Sequence, residues 1–306
     1  MRALRCGVLC LGVTLFLDSG VHGQTATPES VQFMNKKPFF SKQTLLGAHR
    51  GGAFLWPENT LVAFREVAAK FPDVLIETDA RLTSDGMVLL LHDRTVDRTT
   101  DGAGELSAMS FDEARKLDAG YDFTSDGGAT YPYRGKGVVI PTLREALDAL
   151  PQSHFLVELK GEPPLADAAI KIINDANAAH RVLLASFVPE TMARARELAP
   201  DMAYCYDIKT GMSLITALRN GKWSEYQPEN DVLSIDPRML SQFKITPEEV
   251  AAIRAKGIVF QMHTINNRDD MVKFLDFGAN SLLTDRPDLL AEVIREREEK
   301  NGLTGK

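Results

Sequence analysis

Short apolar runs alternate with amphipathic stretches along most of the chain, and this rhythm predicts the fold. Strand-like runs lie near residues 44–48, 74–80, 154–159, 182–186, 202–206, 232–235, 258–263 and 280–284. Each is followed by a helical pattern: Glu58 to Lys70, Leu143 to Leu150, Ala166 to Ala179, Pro189 to Leu198, Met212 to Asn220, Pro247 to Lys256, Asp269 to Phe277 and Pro287 to Glu298. Eight alternating strand and helix pairs predict an α/β fold of the TIM-type (β/α)8 barrel class. Helix starts agree with the count. Thr246-Pro247-Glu248-Glu249 and Asp285-Arg286-Pro287 each combine a capping residue with Pro at or near the first turn.

One segment breaks the alternation. Residues 95–140, after the second strand region, are rich in Gly and Asp around a single short helical patch at Phe111 to Leu117. An inserted βα connection of this length at the ligand face of such a fold usually has a function.

The chemistry gathers at the ends of the apolar runs. Val74-Leu75-Ile76 leads into Glu77-Thr78-Asp79, where the two carboxylates are two residues apart and share a face of the strand. Two such anions repel unless a cation lies between them. Leu45-Leu46-Gly47-Ala48 leads into His49-Arg50, Met87 to Leu91 into His92-Asp93, and Phe155-Leu156-Val157 into Glu158-Leu159-Lys160. Four successive run ends therefore deliver polar groups, and in parallel α/β folds the carboxyl ends of strands form the ligand face. The set reads as a metal-assisted phosphodiester-hydrolysing site.

At these residues the chain resembles the glycerophosphodiester phosphodiesterases. The matching pieces are His49-Arg50-Gly51, Pro57-Glu58-Asn59-Thr60, Glu77-x-Asp79, Thr83-x-Asp85-Gly86, His92-Asp93, Asp97-Arg98-Thr99-Thr100, Pro141-Thr142-Leu143, Glu158-x-Lys160 and Thr284-Asp285-Arg286-Pro287, spread over about residues 44–290. The resemblance implies hydrolysis of diesters such as glycerophosphocholine or glycerophosphoethanolamine to glycerol 3-phosphate and an alcohol. It also implies that the insertion caps the barrel mouth. One position departs: a tryptophan common in the family on its seventh strand is replaced in His263-Thr264-Ile265-Asn266.

The expected roles follow from the side chains. Glu77, Asp79 and Glu158 are expected to hold one divalent cation, Ca2+ or Mg2+, because an all-carboxylate set suits oxygen-loving ions. Arg50 is expected to pair with a phosphate oxygen through its planar fork, and Lys160 to add a point charge. His49 and His92 are expected to serve as general acid and base. His154, His180 and His263 read as structural histidines. Glu58 and Asn59 read as helix-start residues, while Asp97, Arg98, Asp285 and Arg286 read as structural ion pairs or loop ties. The sequence shows no obvious aromatic cage for a quaternary ammonium, although Trp56, Tyr121, Phe123, Tyr131 and Tyr133 could assemble one, so loose specificity among headgroups is expected.

Composition changes the picture in two places. The formal net charge of −7 argues against a nucleic-acid partner, and it leaves an anionic small-molecule substrate to be attracted locally, by the metal, Arg50 and Lys160. The N-terminus has two arginines within Met1–Arg5, an apolar run from Cys6 to Leu17 and small residues at Val21-His22-Gly23, the pattern of a signal peptide over residues 1–23. Residues 24–43 then form a leader before a barrel of residues 44–300. An exported protein, periplasmic or secreted, is expected, with no stable membrane insertion after cleavage and Cys205 as its single thiol. Two rival readings share the scaffold. A phospholipase acting on intact lipid or on a polymeric phosphodiester would use the same groups, and a non-catalytic surface or periplasmic binding protein would be expected to have lost one of them.

Overall fold

The structure, a computed structural model, describes residues 37–41 and 46–304. The expected signal peptide lies outside the described residues, as does the leader apart from residues 37–41.

Nine strands form one sheet: β1 (Leu46–Ala48), β2 (Leu75–Leu82), β3 (Val88–Leu90), β4 (His154–Leu159), β5 (Val182–Ala185), β6 (Ala203–Tyr204), β7 (Val232–Ile235), β8 (Val259–Met262) and β9 (Ser281–Thr284). Eight of them run parallel in the order β6-β5-β4-β2-β1-β9-β8-β7. A parallel bridge between Cys205 and Val232 joins the two ends of that path, with Tyr206 N donating to Val232 O at 2.8 Å and Asp231 N to Tyr204 O at 2.9 Å. This is the expected (β/α)8 barrel, and its eight strands lie where the hydrophobic pattern puts them.

Ten helices are described: α1 (Leu61–Lys70), α2 (Phe111–Ala114), α3 (Leu143–Ala149), α4 (Pro163–Asp175), α5 (Pro189–Leu198), α6 (Ile208–Arg219), α7 (Pro237–Gln242), α8 (Pro247–Ala255), α9 (Arg268–Asp276) and α10 (Pro287–Thr304). The differences from expectation are local. Thr60, not Glu58 or Asn59, caps α1 by accepting from Ala63 N. Asp207 caps α6 a turn earlier than the apolar pattern indicates. Asp236 followed by Pro237 starts α7, a helix too short to show a period.

The barrel strands are apolar on both faces, as a buried parallel sheet requires. Ile76, Phe155, Val157, Leu184, Phe260 and Leu282 face the helix layer and pack with Phe64, Val67, Leu143, Ile170 and Met192. On the other face Leu75, Leu156, Leu183, Ala203, Cys205, Val232, Val259 and Leu283 fill the barrel with Phe39 among them. Phe39 meets the ring of His154, the first residue of β4, edge-on at 5.3 Å. Beside it the Lys37 ammonium donates to Met202 O and to Asp231. The 37–41 segment thus closes the amino-terminal end of the barrel with a ring and an ion pair.

The segment between β3 and α3 folds on its own small core of Leu89, Leu91, Val96, Leu106, Ala114, Ala119, Val138 and Ile140. Arg115 ties it to α3 through a two-pronged contact with Glu145, 3.0 Å on each arm.

Candidate active site

At the end of β1 the chain turns sharply through His49-Arg50-Gly51-Gly52. Arg50, Gly51 and Gly52 all have positive φ, +51°, +83° and +95°. At Gly51 a Cβ would lie 2.8 Å from Phe64 and 2.9 Å from the Ala63 Cβ on α1, so only glycine fits both the backbone and the space. The turn aims the Arg50 N–H at Glu77 Oε2, 2.8 Å away.

Glu77 and Asp79 face inward from β2 with almost no exposure. Parallel pairing sets Asp79 beside Glu158 on β4. Carboxylate oxygens of Glu77, Asp79 and Glu158 all lie within 4.8 Å of one another. Asn59, itself at φ +56°, donates to Asp79 Oδ2 at 2.9 Å and accepts from Thr78 Oγ1 at 2.7 Å. It is thus an orienting group for an acidic residue. Lys160 Nζ lies 2.8 Å from Glu158 Oε1 and 3.2 Å from Asp79 Oδ1.

His92 arrives by a route that differs from expectation. The run before it is β3, which pairs antiparallel with β2, Leu90 opposite Ala80 and Val88 opposite Leu82. It is a return strand, and His92 does not stand at a parallel strand end. Because β2 extends three residues beyond Asp79 before the hairpin turns, the return brings Leu91 N onto Asp79 O at 2.9 Å and His92 back to the level of the carboxylates. Arg81 fixes the junction: Nε and Nη2 donate to His92 O at 2.9 and 2.6 Å, and Nη1 to Lys160 O at 3.1 Å.

Both histidines sit in aspartate dyads that the sequence reading does not assign. His49 Nδ1 donates to Asp285 Oδ1 at 2.6 Å, and His92 Nδ1 to Asp93 Oδ1 at 2.7 Å. Each dyad leaves Nε2 as the free ring atom; that of His49 is 3.9 Å from Glu77. Asn266 Nδ2 holds the other Asp285 oxygen at 2.6 Å. On the His92 side Arg98 Nε donates to Asp93 at 2.6 Å and its two Nη atoms to Glu58 at 2.7 and 2.8 Å. Glu58 also accepts from Arg50 Nη1 at 3.0 Å, so one chain of charges runs from His92 to Arg50. Arg98 and Asp285 are thus in ion pairs, as expected, and the partners of those pairs are the expected site residues and their neighbours; Asp285 uses both oxygens on His49 and Asn266 and not on a cap for α10. Asp285 was legible by the strand-tip rule that marks the other groups, since it follows β9 directly. Arg98 and Arg81 carry no such signal.

The electrostatics separate the groups. Burial, together with Asp79, pushes Glu77 up to about 8. Burial also works against the charge of Asp79, but Lys160, Arg50 and the Asn59 hydrogen bond hold it below its ordinary value. For His49 burial opposes the imidazolium, and Glu77 with hydrogen-bonded Asp285 outweigh it and raise the pKa above 6.5. His92 goes the other way: burial lowers it despite Asp79 and Asp93. Arg50 Nε–H is a buried donor with no acceptor, 3.6 Å from Asp79 Oδ2.

A buried carboxylate that holds its proton near neutrality, packed against two others, is the arrangement a divalent cation relieves. Glu77, Asp79 and Glu158 are the group of this kind among the described residues. The five aromatics that could have formed a cage have other partners. Trp56 is buried in the main core, and Tyr121 and Tyr131 flank Arg134, whose guanidinium carbon is 4.1 and 3.8 Å from their ring centroids.

The model of the Glycerophosphoryl diester phosphodiesterase family matches residues 49–289. A glycerophosphodiester phosphodiesterase of Caldanaerobacter subterraneus subsp. tengcongensis is 30% identical over 262 residues, which span 83% of this chain and 99% of that protein. One from Bacillus subtilis is 28% identical over 307 residues, 95% of this chain and 97% of the other. An Oleispira antarctica phosphodiesterase, solved in complex with the product sn-glycerol-3-phosphate, has a TM-score of 0.68 at 25% identity, covering 84% of this chain and 98% of its own. With the barrel, the acidic triad and a family match over most of its length, this chain belongs to the glycerophosphoryl diester phosphodiesterase family.

Proposed function

We propose that the protein hydrolyses small glycerophosphodiesters such as glycerophosphocholine and glycerophosphoethanolamine to glycerol 3-phosphate and an alcohol, using His49 and His92 as an acid–base pair. The observation that carries this reading is the pair of His–Asp dyads, each leaving Nε2 free, beside a buried triad of carboxylates. A dyad locks the ring orientation and tautomer, which is what proton transfer at a defined atom needs. The shifts run in opposite directions, His49 up and His92 down, which suits His92 to the base and His49 to the acid.

Glu77, Asp79 and Glu158 would hold one hard divalent cation, Ca2+ or Mg2+. Bound there, it supplies positive charge that relieves the triad and attracts the phosphate. Arg50 offers its unpaired Nε–H to a phosphate oxygen, and Lys160 adds a second cation. Arg98 keeps Glu58 and Asp93 ionised and in place, so the phosphate-binding arginine and one histidine are held by the same guanidinium. The Oleispira antarctica enzyme with its bound sn-glycerol-3-phosphate supports the choice of product. Export of the mature chain is part of the proposal, on the N-terminal pattern alone. Among the described residues no helix is long and apolar enough to cross a membrane.

One observation favours a second reading, an acyl-bearing substrate. Exposed Phe54, Phe187, Ile208 and Met212 stand on loops or helix starts that follow barrel strands, so the mouth is less polar than the Gly- and Asp-rich insertion suggests.

Release of glycerol 3-phosphate from glycerophosphocholine tests both readings. Turnover should vanish with exhaustive chelation and return with Ca2+ or Mg2+; undiminished activity in chelator would remove the metal assignment. Lysophosphatidylcholine hydrolysed faster than glycerophosphocholine would shift the substrate to the acyl-bearing class.

A further inference from the structure

His263 lies just past β8, where the inward alternation of Gln261 continues. Its N–H donates to Ile235 O at 3.1 Å. Its ring takes no part in the dyads, the triad or the contacts of Arg50 and Lys160. Instead Nδ1 is 2.8 Å from Ser234 Oγ, Ser234 Oγ is 2.8 Å from Gln261 Oε1, and Gln261 Nε2 donates to Ser281 Oγ at 3.1 Å.

This chain of bonds has a direction. A serine hydroxyl has one proton, and with Gln261 turned so that Oε1 faces Ser234 and Nε2 faces Ser281, Ser234 gives it to the amide oxygen. It can then only accept from His263, so the ring proton is on Nδ1 and Nε2 keeps a lone pair. Gln261 and Ser281 are 1% and 3% exposed, which leaves little room for water to take over either bond. Burial, with the nearby charge of His49, holds the ring down to about 4, so it stays neutral in ordinary buffers. None of the described residues is hydrogen-bonded to Nε2.

We propose that His263 Nε2 accepts a hydrogen bond from a hydroxyl of the substrate's glycerol, and so makes the site prefer diesters that carry such a hydroxyl. The inference rests on the phosphodiesterase reading above. The reason is complementarity: the carboxylate triad, Arg50 and Lys160 address the phosphate or its charge and the two dyads move the reacting protons, whereas the lone pair on His263 repels a phosphate oxygen and needs a donor. A quaternary ammonium and an ester oxygen offer none. The glycerol hydroxyls do, and a site built around a hydrogen bond to a hydroxyl rejects the analogue that lacks it.

Two measurements test the proposal. The first is the ratio of kcat/KM for glycerophosphocholine to that for bis(4-nitrophenyl) phosphate, a diester without hydroxyls. With His263→Phe the ratio should fall about tenfold or more, the usual size of one lost hydrogen bond to a buried partner. Ser234→Ala, which frees the ring proton to move, should lower it by less. Equal losses on both substrates in both variants would mean a structural role and overturn the proposal. The second is 15N NMR of the wild-type ring, which needs no turnover and no folded variant. Nδ1 protonated and Nε2 bare is the expected pattern, and the reverse tautomer would overturn the proposal. A wild-type protein inactive on both diesters with metal present would instead count against the phosphodiesterase reading.

Discussion

At the residue scale the proposed acid–base pair is two nearly identical dyads in different surroundings. His49 is next to Glu77 and bonded to Asp285, and these raise it; His92 is lowered by burial. A raised group keeps its proton to higher pH, and a lowered one gives it up sooner. In metal-free protein, NMR titration should therefore place His92 below 6.5 and His49 above it. Both rings titrating together would remove the assignment of base to His92 and acid to His49. Replacing either by Ala should cost about 10²–10⁴-fold in kcat with a smaller change in KM, because proton transfer acts in the transition state. Both histidines and the three carboxylates were legible from the sequence because each follows an apolar run directly. Their partners were less so. Arg98 stands 40 positions from Glu58, and no pattern of spacing announces a contact made only by folding the insertion back onto the α1 loop.

At the element scale the decisive piece is the β2–β3 hairpin. An apolar run ending in His-Asp reads as another parallel strand, since three neighbouring cases have that form. Pairing decides otherwise in the folded chain: β3 runs antiparallel back onto β2 instead of joining the barrel. Arg81 then carries a load that its position alone does not show. It binds the carbonyls of His92 and Lys160 together, and Arg81→Lys would leave a single point donor in place of a planar fork. Kinetics on that variant should show kcat down by about tenfold or more with metal affinity near wild type, in the range of effects expected when a positioning contact is lost. A wild-type kcat would mean that the hairpin holds His92 without it.

For the whole molecule, the acidic triad links metal, pH and stability. Glu77 has its folded pKa raised from 4.5 to about 8, so the fold favours its protonated form. That contribution is complete below 4.5 and is lost as pH rises through about 8. Raised His49 adds in the same sense above 6.5, while Asp79, held low, loses its contribution only on acidification. A bound divalent cation prefers ionised Glu77, so the gain in Tm on adding Ca2+ or Mg2+ should widen as pH rises from 5 to 8 on the order of these shifts. A gain that does not change with pH would exclude Glu77 as a ligand. Stability also depends on the closed end of the barrel. Phe39→Ala should cost about 3–5 kcal/mol by chemical denaturation, the usual size for a buried Phe.

What the sequence determined by itself was the barrel and the groups that its strands present. Apolar runs of strand length alternating with amphipathic helices admit few architectures, and a side chain just past a strand end in a parallel α/β fold has only the ligand face to occupy. The family resemblance rested on those same residues. The tertiary structure decided which groups meet: Asp285 with His49, Arg98 with Glu58 and Asp93, and Ser234 with Gln261 and His263. It also decided that β3 turns back, and that Tyr121 and Tyr131 embrace Arg134. These are contacts between distant segments, set by barrel closure and by how the insertion packs its own small core. Hydrophobic period and local propensity act over a few residues and carry no information about partners that far apart.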